Sequence, residues 1–288
     1  MTTTVWVGGS VVADGAGQIP ALDHGITVGD GAFETCKIVD GQAYALTRHL
    51  RRLARSLAVL AIPAPDDAAV RDAVAQTLAA AHGPDGGPLP LGRLRITVTA
   101  GPGPLGSDRS DVPPTLVVAA APSAPWPAHI EVASVSWTRN ERSAVAGAKT
   151  TSYAENVVAL RAAKAKGAHE ALLANSVGML CEGTGSNVVL LDGDRLVTPP
   201  LSSGCLAGIS RELFLEWAGE EGLPVVEEDV PFERLAFVED LLLTSSTRDV
   251  QQVAVVDGRT LPGSALGKAA VELFARRAAD GIDPCPGR

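Results

Sequence analysis

Val145-Ala-Gly-Ala-Lys-Thr-Thr-Ser152 is the stretch on which the reading turns. It sets one lysine, Lys149, among small uncharged residues, at the end of a loop and just ahead of a helical pattern. Poor solvation disfavours an ammonium ion, and a neutral lysine amine can attack an aldehyde and hold it as a Schiff base. An ordinary loop lysine would look the same locally. The other four lysines read differently. Lys164 and Lys166 lie near Arg161 on a helix and suit a solvated face. Lys268 sits on the last helix, and Lys37 is on a strand with either face open to it.

Outward from Lys149, the 288-residue chain divides into two lobes. The first third is strand-rich and then helical. Residues 4–8 and 32–38 read as strands, and Asp40-Gly41 is a hairpin turn signal leading into 42–46. Thr47 can cap a helix whose Leu50, Leu53, Leu57 and Leu60 recur at helical spacing, and a second helix covers 66–82. Strands follow at 92–100 and 114–120. The segment 121–128 holds Pro122, Pro125 and Pro127 and reads as a stiff linker. Beyond it, strands at 129–138, 169–174, 186–191, 225–229 and 240–245 alternate with helices at 152–166, from Ser210, and at 264–279. The expected organisation is α/β: a small α+β lobe over 1–120, the linker, and a larger mixed α/β lobe over 129–288.

Composition narrows the function classes. Hydrophobic residues make up 46% and charged residues 20%, enough for a sizeable core. No apolar run approaches a membrane span, and the N-terminus has no signal-like pattern. The expectation is a cytoplasmic protein. A net charge of -9 without a basic cluster makes nucleic acid a poor partner. Cys36, Cys181, Cys205 and Cys285 are far apart, which favours reduced thiols over a disulfide framework or a zinc site, so no metal is expected.

Other residues could carry chemistry beside Lys149. Glu182, in Met179-Leu-Cys-Glu-Gly-Thr-Gly-Ser-Asn187, stands ahead of an apolar strand; if buried it needs a cationic partner, such as a protonated pyridine nitrogen, and otherwise it is a turn residue. In Pro199 through Arg211, Gly208 allows close backbone approach. There the N–H groups of Ile209 and Ser210 open a helix, where phosphate can bind, although Ser210 could also be a plain cap. Thr244-Ser-Ser-Thr247 offers hydroxyls at a strand end. Arg48, Arg51, Arg52 and Arg55 cluster on one helix, and one of them could turn inward to a phosphate.

In that order (arginine, lysine, glutamate, glycine before a helix, Ser/Thr cluster) the chain resembles the fold-type IV, or class IV, pyridoxal-phosphate (PLP) enzymes over about residues 20–275. Five stretches carry the resemblance: Gly29-Asp-Gly-Ala-Phe-Glu-Thr-Cys-Lys37, His49-Leu-Arg-Arg-Leu53, Lys149 through Leu160, Cys181-Glu-Gly-Thr-Gly-Ser-Asn187, and Gly204 through Arg211. The resemblance implies PLP as cofactor, a homodimer, and a site where the two domains meet. It implies that Lys149 is the Schiff-base lysine and proton carrier and that Glu182 faces the pyridine nitrogen. It implies that Arg52, Ile209, Ser210 and Ser246 or Thr247 hold the phosphate, and that Tyr153 meets the ring hydroxyl. Phe33 and Lys37 match strand positions that line the substrate pocket.

Within the family, Gly29-Asp-Gly-Ala-Phe-Glu34 is similar to the pattern of D-amino acid aminotransferases and 4-amino-4-deoxychorismate lyases. Branched-chain L-amino acid aminotransferases carry a Gly and an Arg where Thr35 and Lys37 stand here. The Arg-x-His carboxylate trap of the D-amino acid enzymes is missing, since Ala100, Leu105 and Ser107 replace its cations. Arg248, Lys37, Arg95 and Arg142 remain as partners for a substrate carboxylate, with Arg248 preferred. The expected reaction moves an amino group from a D-amino acid, or an (R)-primary amine, to a 2-oxo acid. The alternatives are pyruvate release from aminodeoxychorismate, giving 4-aminobenzoate, and branched-chain transamination.

Overall fold

The computed structural model describes residues 3–12 and 16–284, and Cys285 lies outside the described residues. The chain forms two compact units, Met1–Pro125 with Ala148–Tyr153 and Ile282–Arg288, and Trp126–Gly147 with Ala154–Gly281. The division by sequence into 1–120, 121–128 and 129–288 differs in two ways. The last strand of the first unit runs on through Pro122, and the segment bearing Lys149 joins the first unit instead of the second.

The first unit is built on β1 (Thr4–Val7), β2 (Ser10–Val12), α1 (His24–Thr27), β3 (Gly31–Val39), β4 (Gln42–Ala43), α2 (Leu46–Val59), α3 (Asp67–Ala80), β5 (Leu91–Thr99) and β6 (Thr115–Pro122). Its six strands form one antiparallel sheet in the order β2-β1-β6-β5-β3-β4. Alternation along the strands decides which face is buried. Ala32, Cys36 and Ile38 of β3 join Leu94, Ile96 and Val98 of β5 in a core with Leu50, Leu53 and Leu57 of α2 and Val70, Ala73 and Val74 of α3. Asp40 and Gly41 both have positive φ, 47° and 75°, as a two-residue turn with the twist of the strands requires. Thr47 does not cap α2. The helix starts at Leu46 after a left-handed Ala45, and the Thr47 N–H and hydroxyl donate to Asp283 at 3.0 and 2.6 Å.

The second unit comprises β7 (Glu131–Arg139), α4 (Ala154–Ala165), β8 (Glu170–Asn175), β9 (Leu180–Gly183), β10 (Asn187–Asp192), β11 (Arg195–Thr198), α5 (Ile209–Glu221), β12 (Val225–Glu227), β13 (Leu241–Ser245), β14 (Asp249–Gln252), β15 (Val255–Val256), β16 (Arg259–Thr260) and α6 (Ala265–Ala278). Two mixed five-stranded sheets, β12-β11-β10-β13-β14 and β16-β15-β7-β8-β9, share a core of Val132, Leu172, Leu180, Val188, Leu190, Leu241 and Leu243. Small residues let α4 lie close on β7 and β8, where Ala159 and Ala163 meet Ala133 and Ala171. Helix α5 packs on β13, and Trp217 of α5 meets Phe274 of α6 at 5.0 Å. Among the described residues no helix is long and apolar enough to cross a membrane.

Candidate active site

In the first unit, Lys149 is set by backbone pairing. The Phe33 N–H donates to the Lys149 carbonyl at 3.0 Å, the Thr151 N–H donates to the Gly31 carbonyl at 2.8 Å, and Ala32 bridges Thr150 in antiparallel fashion. The segment is thus a short extra strand against the start of β3. The Lys149 N–H also donates to Ser56 Oγ of α2 at 3.0 Å. The amine then lies over aromatic carbon, with Nζ 4.4 Å from the centre of the Phe33 ring and 5.6 Å from that of Tyr153. The two rings meet edge to face at 5.3 Å. Phe33 is also stacked by the Arg95 guanidinium at 3.7 Å.

Ser56 is one helical turn beyond Arg52, so both face the same side of α2. Among the four arginines of this helix the structure separates two buried ones, Arg48 and Arg52, from exposed Arg51 and Arg55. Arg48 Nε donates to the Pro284 carbonyl at 2.8 Å. Arg52 forms a bidentate pair with Glu34, at 2.8 and 2.7 Å, and His49 Nδ1 lies 2.6 Å from the same carboxylate. Burial alone would push the Glu34 carboxyl up, but the charge and hydrogen bonds of Arg52, with those of His49, outweigh it and hold the pKa at about 2. Burial pushes the His49 imidazole below its ordinary value against the pull of Glu34, and the charges of Arg52 and Lys149 add to the lowering.

In the second unit, Glu182 is a buried residue of β9 instead of a turn residue. Its carboxylate accepts from Arg139 Nε at 3.1 Å and from the Leu206 N–H at 2.9 Å. Arg139 Nη1 donates in turn to Asn156 of α4 at 3.0 Å. Ile209 and Ser210 open α5, and Gly208 at its N-cap leaves the helix end with no side-chain cap. A Cβ at Gly208 would stand 1.9 Å from Asn187 Oδ1, so any larger residue would displace that side chain. Asn187 pairs with Thr244 across β10 and β13. Thr244 is 1% exposed, and its hydroxyl has no hydrogen-bond partner among the described residues. Ser246 and Thr247 lie half-buried in the turn between β13 and β14, where Thr247 Oγ1 accepts from the Trp126 indole at 3.3 Å.

Arg248, the preferred substrate-carboxylate residue, lies in a buried ion pair of the second unit. Arg248 Nη2 donates to Glu170 at 2.6 Å, both side chains are 3% exposed, and the guanidinium lies 3.6 Å from the Trp126 ring. The Arg142 side chain is 84% exposed and lies 3.9 Å from the Glu141 carboxylate. After β5 the first cation is Arg109, and it is committed to both Asp30 oxygens at 2.6 Å and to the Ala61 carbonyl at 3.0 Å. Arg95 and Lys37 are left, on the Phe33 face of the sheet. Glu34 and Arg139 were missed from sequence as partners. Glu34 could have been found, since a charge alternating with Ala32, Cys36 and Ile38 on a core face demands a buried partner.

Residues 31–256 match the amino-transferase class IV family. A Methanocaldococcus jannaschii protein carrying a branched-chain-amino-acid aminotransferase name is 31% identical over 92% of this chain and 91% of its own. A Mycobacterium tuberculosis bifunctional aminodeoxychorismate lyase / D-amino acid transaminase is 28% identical over 93% and 96%. The fold IV transaminase CpuTA1 of Curtobacterium pusillum superposes with a TM-score of 0.84 at 29% identity, covering 97% of this chain and 99% of that one. The chain belongs to the class IV aminotransferases and has their fold-type IV architecture. It is a PLP-dependent enzyme. Its residues fit that cofactor: the uncapped α5 end, the Gly208 approach and the orphan Thr244 hydroxyl suit a phosphate, and Lys149 suits an aldehyde.

Proposed function

We propose that this aminotransferase moves the amino group of a D-amino acid, and of (R)-primary amines, to a 2-oxo acid. The observation that supports a carboxylate-bearing substrate is Arg95, stacked on the same Phe33 ring that receives the Lys149 amine, while the D-hand and the (R)-primary amines rest on the resemblance of Gly29–Glu34. The two charges are therefore no more than roughly 8 Å apart, a span that one small carboxylate-bearing substrate bridges. The Arg95 fork has only its Nε engaged among the described residues, to Thr97 at 3.2 Å. Its remaining donors suit a carboxylate.

PLP, when bound, supplies the electron sink that makes the substrate's α-proton removable. Lys149 Nζ takes and returns that proton, steadied over Phe33 and Tyr153. Arg52, fixed by Glu34, and Ile209, Ser210, Thr244, Ser246 and Thr247 hold the phosphate. Glu182, oriented by Arg139 and the Leu206 N–H, favours a protonated pyridine nitrogen. Tyr153 meets the ring hydroxyl, and Phe33 and Lys37 line the substrate pocket. A cytoplasmic homodimer belongs to this reading on the family resemblance alone, and light scattering at twice the chain mass would check the assembly.

Thr35 stands where the lyases that the chain resembles often carry threonine, which favours a second reading, the aminodeoxychorismate lyase, as does the bifunctional name of the M. tuberculosis relative. A half-reaction panel decides. The enzyme is mixed separately with D-alanine, L-leucine, (R)-phenylethylamine and aminodeoxychorismate while the cofactor absorbance is followed. Conversion to the pyridoxamine form by D-alanine, without 4-aminobenzoate from the chorismate, is expected. Conversion by L-leucine alone would favour the branched-chain reaction, and 4-aminobenzoate release the lyase.

A further inference from the structure

One buried ion pair of the second unit has no part in the chemistry proposed for Lys149. Glu170 opens β8, and Arg248 lies in the turn between β13 and β14. Glu170 Oε2 accepts from Arg248 Nη2 at 2.6 Å. Glu170 Oε1 accepts from the Gly185 N–H and from the Ser186 hydroxyl, both at 2.7 Å. Gly185 and Ser186 belong to the loop that joins Glu182 to Asn187. One carboxylate therefore ties the start of β8 to that loop and to the turn that carries Ser246 and Thr247, all within the second unit. The Arg248 guanidinium is stacked 3.6 Å from the centre of the Trp126 ring. The Trp126 indole N–H in turn donates to Thr247 Oγ1 at 3.3 Å. A hydroxyl has one proton and two lone pairs. With a lone pair of Oγ1 taken by the indole, the Thr247 proton is left to donate, and among the described residues it has no acceptor. A phosphate, which offers acceptor oxygens, suits such a donor.

We propose that Glu170, Arg248 and Trp126 form a positioning brace that presets the Ser246–Thr247 turn for a phosphate, so that discrimination between PLP and unphosphorylated pyridoxal passes through a buried ion pair. The inference rests on the assignment of Ser246 and Thr247 to the phosphate. It gives Arg248 a part different from binding the substrate carboxylate. The pair is neutral as a whole, so it acts by fixing where the turn's hydroxyls stand. Trp126 adds direction: its N–H holds Thr247 Oγ1 as an acceptor and so turns the hydroxyl proton outward to the anion.

The test equilibrates the full-length enzyme with PLP and, separately, with pyridoxal, and reads bound cofactor from its absorbance. Arg248→Met is expected to lower the PLP-to-pyridoxal affinity ratio about tenfold and Trp126→Phe about threefold, with pyridoxal affinity itself unmoved. Arg248→Met leaves the Glu170 carboxylate buried without its cation, a change that can unfold a protein. The Glu170→Gln/Arg248→Met double variant removes both charges and is expected to lower the ratio as far. Arg248→Lys should recover part of the loss. Equal losses of PLP and pyridoxal would mark a merely structural pair and overturn the brace. So would an unmoved ratio in variants whose circular dichroism matches the wild type, or an unmoved ratio with weakened amino-acid binding, which would return Arg248 to the substrate. The Ser246→Ala/Thr247→Ala double variant separates the brace from the reading beneath it. An unmoved ratio there overturns the phosphate assignment and the brace with it. A lowered ratio there, beside unmoved ratios in the brace variants, overturns the brace alone.

Discussion

The Lys149 region and the α5 N-terminus solve opposite problems. At Lys149 the chemistry lies in side chains, and the backbone serves to aim them: pairing with β3 and the Ser56 hydroxyl fix the segment, and Phe33 and Tyr153 receive the amine. At α5 the chemistry lies in the backbone. The helix opens at Ile209 and Ser210 with no side-chain cap, and the nearby side chains matter by being small or absent. A side-chain site tolerates shifts in backbone and fails when one functional group is lost. A backbone site keeps its groups under substitution and fails when a new atom blocks the approach.

Substitutions can break this contrast. Lys149→Ala should lower turnover by roughly 10³-fold or more while leaving the fold intact, measured by steady-state rate and circular dichroism. Glu182→Ala should retain bound PLP yet react about 10²-fold more slowly, because the pyridine nitrogen loses its partner. Gly208→Ala should weaken PLP by about tenfold and cost about 1–3 kcal/mol of stability, since the added carbon collides with Asn187 Oδ1 and disturbs its bond to the Leu206 carbonyl. Gly219→Ala is its control. It lies in the same helix with nothing within 4 Å of the added carbon, so it should gain roughly 0.4–1 kcal/mol and leave PLP affinity alone.

The smallest effect concerns pH. His49 is held below its ordinary value, so its contribution to stability is complete above the unfolded pKa of about 6.5 and is lost as pH falls toward the lowered folded value. Glu34, depressed to about 2 from the ordinary 4.5, acts in the same direction over the interval between those values. Thermal melts should therefore show a decline that begins near pH 6.5 and steepens below about 4.5, and His49→Gln should flatten only the upper part. A melt independent of pH between 7 and 5 would contradict the assignment.

Periodicity made much of the fold legible. Helices α2, α3 and α6 and strands β3, β5 and β6 stand close to their expected places because each shows one apolar face. Strands β9, β11 and β14 escaped notice. They have four residues each, and β9 includes a glutamate and a glycine that argue for a turn until Arg139 supplies the buried charge partner. The membership of Ala148–Tyr153 in the first unit was equally hidden, because strand pairing to β3 across more than a hundred residues leaves no local pattern. Lys149, Glu182 and Gly208 could be singled out by residue type and order. The pairing of Arg248 with Glu170 was not legible, because the two are 78 positions apart.

Borohydride reduction of the PLP-loaded enzyme, followed by peptide mapping, tests the central claim most directly. A phosphopyridoxyl group on the peptide containing Lys149, absent from Lys149→Ala, is the predicted result. A label on Lys37 or another lysine, or no covalent label on a protein that binds PLP, would contradict it.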